Sequence, residues 1–299
     1  MKLWLITLVF LLIPFSACGD PCKDPPKQKA KDWTLVVIPD TQHYTANWSK
    51  APFSHMLKSF DWIKANKERL NIQMVQGLGD ITENWNSHTE WNRGTEAWYK
   101  LDGTVAWMPV VGNHDDPASF NRYFPISYWE KSHGELWGGA GKTGNQNNYI
   151  KINMGAETYI FLQLEAYTQY NKYQPEGIKF GNEIASKYHD KKIILATHDN
   201  WDTRNIRNEL LSKHDNIVLS NSGHTCAREQ HFTTKGPNGG ITQNFIADYQ
   251  CDNKEVMMLR YYTFKPDEDK VYYYTYSPVT GKFETDSNSQ GSFHLEQKD

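Results

Sequence analysis

An α/β fold containing two β-sheets is predicted for this 299-residue chain by three observations. The first third reads strand, helix, strand, helix, strand. The last third reads as successive strands, and polar residues of chemical interest fall just past the ends of apolar runs. Residues 35–38 are a short apolar, β-branched run stopped by Pro39, which suits a buried strand opening into a loop at Asp40. Across 52–70, Phe53, Met56, Leu57, Phe60 and Ile63 recur at three- and four-residue intervals, the stripe of an amphipathic helix. Residues 72–75 form the next strand, ended by Gly77 and Gly79. A second helix occupies 89–101, and 105–111 is a third strand ended by Gly112. This order predicts a parallel sheet covered by helices.

Residues 148–153 and 158–164 run or alternate apolar around Gly155, as the arms of an antiparallel hairpin do. A helix near 181–188 precedes a strand at 192–196, and a helical stretch at 204–213 precedes a strand at 216–219. Residues 241–247, 256–264 and 270–276 read as antiparallel strands joined by turns that Gly and Pro mark. Length alone fits one large domain or two small ones. With no repeat or low-complexity tract, the economical division is one α/β domain over 33–285 and a polar tail over 286–299.

Lys2, the apolar residues 3–15 and the small residues after them follow the order of an export signal. The run is shorter than the roughly 20 apolar residues of a membrane span. Residues 1–17 are expected to be removed, and 18–32, rich in Pro and Lys, to form an extended tether. Phe15-Ser16-Ala17-Cys18 resembles a bacterial lipoprotein processing site. That resemblance implies a lipid on Cys18 and a place in the cell envelope; ordinary cleavage, giving a secreted protein, is the alternative. Export implies an oxidising compartment, where cysteines are read first as disulfides. With Cys18 on lipid and Cys22 in the tether, Cys226 and Cys251 remain to pair, free thiols and a metal thiolate being the other readings. The net charge of -3, with both signs scattered, gives no specific nucleic-acid signal. Abundant Trp and Tyr read as β-rich core and surface, with a carbohydrate-binding surface as a competing reading.

In open α/β sheets the binding crevice lies beyond the carboxyl ends of the strands. Five such ends here carry Asp40 and Gln42; Asp80; Asn113, His114 and Asp115; His198; and His224. A lone Asp or Asn in such a place caps a helix, and a lone His fills a polar niche. Five ends supplying carboxylate, amide and imidazole together argue for one site.

Pro39-Asp40-Thr41-Gln42, Gly79-Asp80, Gly112-Asn113-His114-Asp115, Thr197-His198 and Ser222-Gly223-His224-Thr225 resemble the ordered signature of the calcineurin-like metallophosphoesterases. The resemblance spans nearly all of 33–278, and Gly-Asn-His-Asp is its most specific piece. It implies a four-layer sandwich of two mixed β-sheets flanked by helices, with a dinuclear metal centre at one edge, acting on phosphate mono- or diesters. Such donors suit Mn, Fe or Zn, including a mixed-valence pair, and not a soft thiolate site. By that resemblance Asp80 bridges both ions, Asn113, His198 and His224 complete one site, and Asp40 with Gln42 holds the other. Two ions roughly 3.5–4 Å apart deprotonate a shared water, and the hydroxide is the nucleophile. His114 would stabilise the phosphoryl oxygens or protonate the leaving group, and Asp115 would orient and charge its imidazole.

Two departures stand out. Related enzymes usually carry His at the position of Gln42, and another His two residues after His224, where this chain has Cys226. A branch beginning Pro-Asp-Thr-Gln is similar, including Ala247-Asp248-Tyr249-Gln250 and Thr275-Tyr276-Ser277-Pro278, and there Gln42 is normal. Extended backbone would put Asp40 and Gln42 on one side and His43 on the other, so His43 is not expected as a ligand. His88, His133, His189, His214 and His231 are expected on the surface, with His55 partly buried on its helix. Asn84 and Asn200 are read as helix caps or substrate contacts. The competing function is a surface lipoprotein that binds metal or ligand without catalysis, for which the depleted first site is the motive. Specificity is expected from loops such as 117–146.

Overall fold

The computed structural model describes residues 31–165, 167–168, 172–201, 204–226, 228–251 and 256–295. The expected signal segment, most of the tether, Cys18 and Cys22 lie outside the described residues. The first third runs β1 (Trp33–Ile38), α1 (Gln42–Thr45), α2 (Phe53–Asn66), β2 (Ile72–Gly77), α3 (His88–Tyr99) and β3 (Ala106–Met108). Next come α4 (Pro117–Tyr123), α5 (Ile126–His133), β4 (Trp137–Gly141), β5 (Gly144–Met154), β6 (Glu157–Leu164), β7 (Tyr167–Thr168), β8 (Lys172–Tyr173) and α6 (Pro175–Lys187). They are followed by β9 (Lys192–Thr197), α7 (Asn205–Glu209), β10 (Ile217–Ser222), β11 (Arg228–Lys235) and β12 (Ile241–Asp248). The chain closes with β13 (Leu259–Lys265), β14 (Lys270–Ser277), β15 (Lys282–Glu284) and β16 (Gln290–Phe293).

Among the described residues two seven-stranded sheets form the frame. The first has the order β15-β14-β13-β1-β2-β3, with β16 also on β14. Within it β1, β2 and β3 are parallel, as the repeated strand-helix order requires, and β13 is antiparallel to β1. The second has the order β11-β12-β10-β9-β6-β5-β4. Its four inner strands β12, β10, β9 and β6 are parallel and its outer strands antiparallel.

Side-chain alternation explains the layering. Phe161, Ile194, Leu219 and Phe245 face the first sheet and join its core. Their neighbours Ile160, Leu162, Ile193, Leu195 and Ile217 turn the other way, onto Ile178 and Ile184 of α6 and Ile206 of α7. Met56, Phe60 and Ile63 of α2 and Ala97 and Trp98 of α3 complete the opposite side. The result is helix, sheet, sheet, helix. Aromatic pairs tie the sheets together, with Trp33 at 4.9 Å from Tyr159 and Phe245 at 5.3 Å from Tyr262. A buried ion pair, Arg260 with Glu229, also crosses between them. Among the described residues no helix is long and apolar enough to cross a membrane.

Several expectations are corrected. The third strand stops at Met108, because Pro109 has no N–H for the ladder. The stretch 117–146 is not a loop. It holds α4, α5 and β4, and Asp116 caps α4 through its bond from the Ser119 N–H (2.8 Å), with Pro117 at the first helical position. The helical stretch at 204–213 is divided into α7 and a 3-10 turn at Leu211–Lys213. In the last third β12 lies parallel to β10. Residues 286–299 are not simply a tail, since β16 pairs with β14 and buries Phe293 opposite Val271. Of the histidines expected at the surface, His133 is buried and His231 stacks on Phe245.

Glu165, just past β6, is 4% exposed, and its Oε1 has no hydrogen-bond partner. Burial is the main cause that pushes its carboxyl up to about 7 from an ordinary 4.5. A raised folded-state value favours folding below the unfolded value, and that contribution is lost as pH rises through about 7. Glu165→Gln is therefore expected to flatten the decline in stability across this window and to raise stability at pH 8 by up to about 3 kcal/mol. Urea denaturation at pH 5 and pH 8 checks this. An unchanged difference between the two pH values would refute it.

Candidate metal centre

Parallel strands deliver their carboxyl ends to one edge. From the first sheet Asp40 follows β1, Asp80 follows β2, and Asn113 and His114 follow β3. From the second, His198 follows β9 and His224 follows β10. Asp80 and His224 both adopt left-handed backbone, with φ of 46° and 69°. For a residue with a side chain this costs about 1 kcal/mol or more, and such strain gathers at functional sites. Each follows a glycine. A Cβ on Gly223 would overlap Asp40, and one on Gly112 would overlap Asp80, so the Gly-rich signature reflects backbone packed against ligand carboxylates.

The side chains converge closely. Asp40, Asp80 and His198 offer ligand atoms that all lie within 4.8 Å of one another, and all three residues are buried. Asn113 Oδ1 is 2.8 Å from both His198 Nε2 and His224 Nδ1, and these two ring nitrogens are 3.2 Å apart. His198 Nδ1 donates to the Leu78 carbonyl (2.8 Å), which aims Nε2 into the cluster. Asp80 Oδ1 accepts from the His114 backbone N–H at 2.9 Å and lies 3.3 Å from His198 Nε2. The His224 N–H donates to Asp40 Oδ2 at 3.1 Å.

Electrostatics describe a nest built for positive charge. Burial alone would depress the His198 imidazole, but the carboxylates of Asp80 and Asp40 outweigh it and push it up to about 10. Burial, then the neighbouring Asp248, holds Asp40 well above the usual carboxylate range. Burial would also raise Asp80, but the charge and hydrogen bond of His198 prevail and its carboxyl is lowered. Asp40 Oδ1, Gln42 Oε1, Asp248 Oδ2 and Gln250 Oε1 are buried with no hydrogen-bond partner. Orphaned oxygens beside convergent imidazole nitrogens fit one or more borderline-to-hard cations. Asp40, Asp80 and His198 could therefore hold a metal ion, with Asn113 and His224 beside them.

Gln42 opens α1, so the backbone there is helical and not extended. The expected opposition of Gln42 and His43 lapses for that reason. His43 is buried, stacks on Trp48 at 3.8 Å and has Nδ1 3.2 Å from the Gln250 carbonyl. The charge of Asp115 helps raise the His114 imidazole, but its hydrogen bonds go elsewhere. Its carboxylate accepts from the N–H groups of Gly112 (2.9 Å), Ile81 (3.0 Å) and Thr82 (2.9 Å), clamping the loops after β2 and β3 together. Glu83 takes the orienting place instead, its carbonyl 3.0 Å and its carboxylate 3.8 Å from His114 Nδ1. Asn200 is a buried link to Ser220 and Asn244, and Asn84 is tied to Glu90, so neither caps a helix. Cys226 and Cys251 form a disulfide, which keeps thiolate out of the centre. The sequence reading missed Glu83, Asp248 and Gln250. The polar run Asp248-Tyr249-Gln250 at the end of β12 was the available signal for the last two.

The calcineurin-like phosphoesterase family model matches residues 34–228. An uncharacterised protein of Bacillus subtilis (strain 168), YvnB, is 27% identical over 287 residues, covering 88% of this chain. The chain spans only 21% of that relative's length. Purple acid phosphatase PPD1 from yellow lupin (Lupinus luteus) seeds shares the fold, with a TM-score of 0.55 and 12% identity over 90% of this chain and 55% of its own.

Proposed function

This chain belongs to the calcineurin-like phosphoesterase family, and from that premise we propose that it hydrolyses phosphate mono- or diesters with the help of two metal ions. The observation that carries the reading is the buried group Asp40, Asp80 and His198, continued by Asn113 and His224 through the shared amide oxygen. Asp40, Gln42 and Asp80 would hold one ion, and Asp80, Asn113, His198 and His224 the other. When bound, two such ions, of Mn, Fe or Zn, supply the Lewis acidity that turns a shared water into the hydroxide nucleophile and neutralises phosphoryl oxygens.

The remaining chemistry falls to this chain's own residues. His114 is partly exposed at the edge of the buried ligands, and Glu83 occupies its Nδ1. Its Nε2 is then the atom to meet a phosphoryl oxygen or give a proton to the leaving group. Burial would lower the His114 pKa, but the charge of Asp80 and then Glu83 raises it overall. The disulfide between Cys226 and Cys251 supports an exported protein, and an anchor through lipid on Cys18 belongs to the same proposal.

Assays of p-nitrophenyl phosphate and bis-p-nitrophenyl phosphate, with Mn, Fe, Zn or Mg added, test the function. Turnover that requires an added ion and disappears with chelator is expected. Fully metallated protein inert on both esters would overturn the reading in favour of a surface binding protein.

A further inference from the structure

We propose that Asp248 is a ligand of the ion held by Asp40, replacing the histidine that related enzymes carry two residues after His224. The inference rests on the metal-dependent reading above and deepens it. The position of that histidine is filled by Cys226, which is committed to the disulfide with Cys251, their Cα atoms 5.3 Å apart. The same disulfide joins the turn after β10 to the turn after β12. In the parallel pairing of those strands Ser222 stands beside Ile246, so Asp248, the last residue of β12, is carried to the same sheet edge as His224, two residues past β10. Sheet register thus delivers a carboxylate where the sequence lacks an imidazole.

The local chemistry fits a cation. Asp248 is fully buried, and its Oδ1 takes the Gln250 N–H at 3.3 Å while Oδ2 has no donor. Asp40, whose Oδ2 takes the His224 N–H, likewise has a buried Oδ1 without a donor. Buried carboxyl groups that each keep one oxygen without a donor are costly unless a proton or a metal meets it. Two amide oxygens are also buried without partners, Gln42 Oε1 at the start of α1 and Gln250 Oε1 just after β12, and His43 next to Gln42 has Nδ1 3.2 Å from the Gln250 carbonyl. The pair of sites is therefore unlike in chemistry. The Asp40 side is rich in oxygen and suits Mn or Mg, whereas the His198 and His224 side has the nitrogen donors that suit Zn.

Calorimetric titration of metal-free wild type and Asp248→Asn with Mn²⁺, together with melting curves with and without the ion, tests this. Wild type should show two binding steps. In Asp248→Asn one step should stay and the other should lose at least about tenfold in affinity. Removing one carboxylate from the crowded metal-free cluster should also raise its melting temperature, while the further rise on adding Mn²⁺ shrinks. Both steps at wild-type affinity in the variant would overturn the assignment. So would a variant that melts earlier without metal or fails to fold, because that is the behaviour of a structural residue. A wild type that takes up no ion would instead overturn the metal-dependent function itself.

Discussion

His114→Ala is expected to keep its fold and its ions and to lose about 10²- to 10⁴-fold of turnover, the usual contribution of a positioned acid or base. The ring stands apart from the buried ligand cluster, held at Nδ1 by Glu83, whereas the bond from residue 114 to Asp80 comes from the backbone N–H. Truncation leaves that bond in place. Elemental analysis beside kcat on an aryl phosphate separates the roles, and a variant that has lost metal along with turnover would show His114 to be a ligand.

Asp80→Asn carries the second large effect. In the proposed centre Asp80, grouped with Asp40 and His198, would serve both ions, and its negative charge would offset placing two cations together. The substitution is expected to lower affinity for both ions by more than the about 10- to 100-fold that loss of an outer-shell partner costs. Elemental analysis of the purified variant should find fewer than two ions per chain. Full occupancy would mean that Asp80 does not bridge.

The strand ends were legible because the features that make them also mark them: apolar β-branched runs, then Gly, then a ligand. Gly112 and Gly223 appear in the sequence because ligand carboxylates lie where their side chains would be. The pairing of Cys226 with Cys251 followed from counting cysteines against compartment, and the disulfide is present. Adjacency gave only half of Asp115: its charge helps raise the His114 imidazole, but its carboxylate hydrogen-bonds to three backbone N–H groups. The polar run at Asp248 was visible, but only the parallel β10–β12 pairing shows that it ends at the same edge as His224. β11 and β16 escaped for another reason. Arg-Glu-Gln-His-Phe-Thr-Thr-Lys and Gln-Gly-Ser-Phe have no apolar run, and edge positions in the sheets let them pair with polar side chains.

The central place of β1 in its sheet governs how the chain must be assembled. On one side it pairs with β2, a close sequence neighbour; on the other its Trp33 faces Phe264, near the far end of the chain. The whole second sheet is encoded between those partners. During synthesis β1 can join β2 and β3 early, but its other edge stays open until β13 emerges, after every strand of the second sheet. Long-range pairing of this kind is slow, and an open apolar edge invites pairing with another chain. A chain ending at residue 228, where the family match ends, would leave that edge uncovered for good and is expected to aggregate, whereas the full chain closes it with its own last quarter.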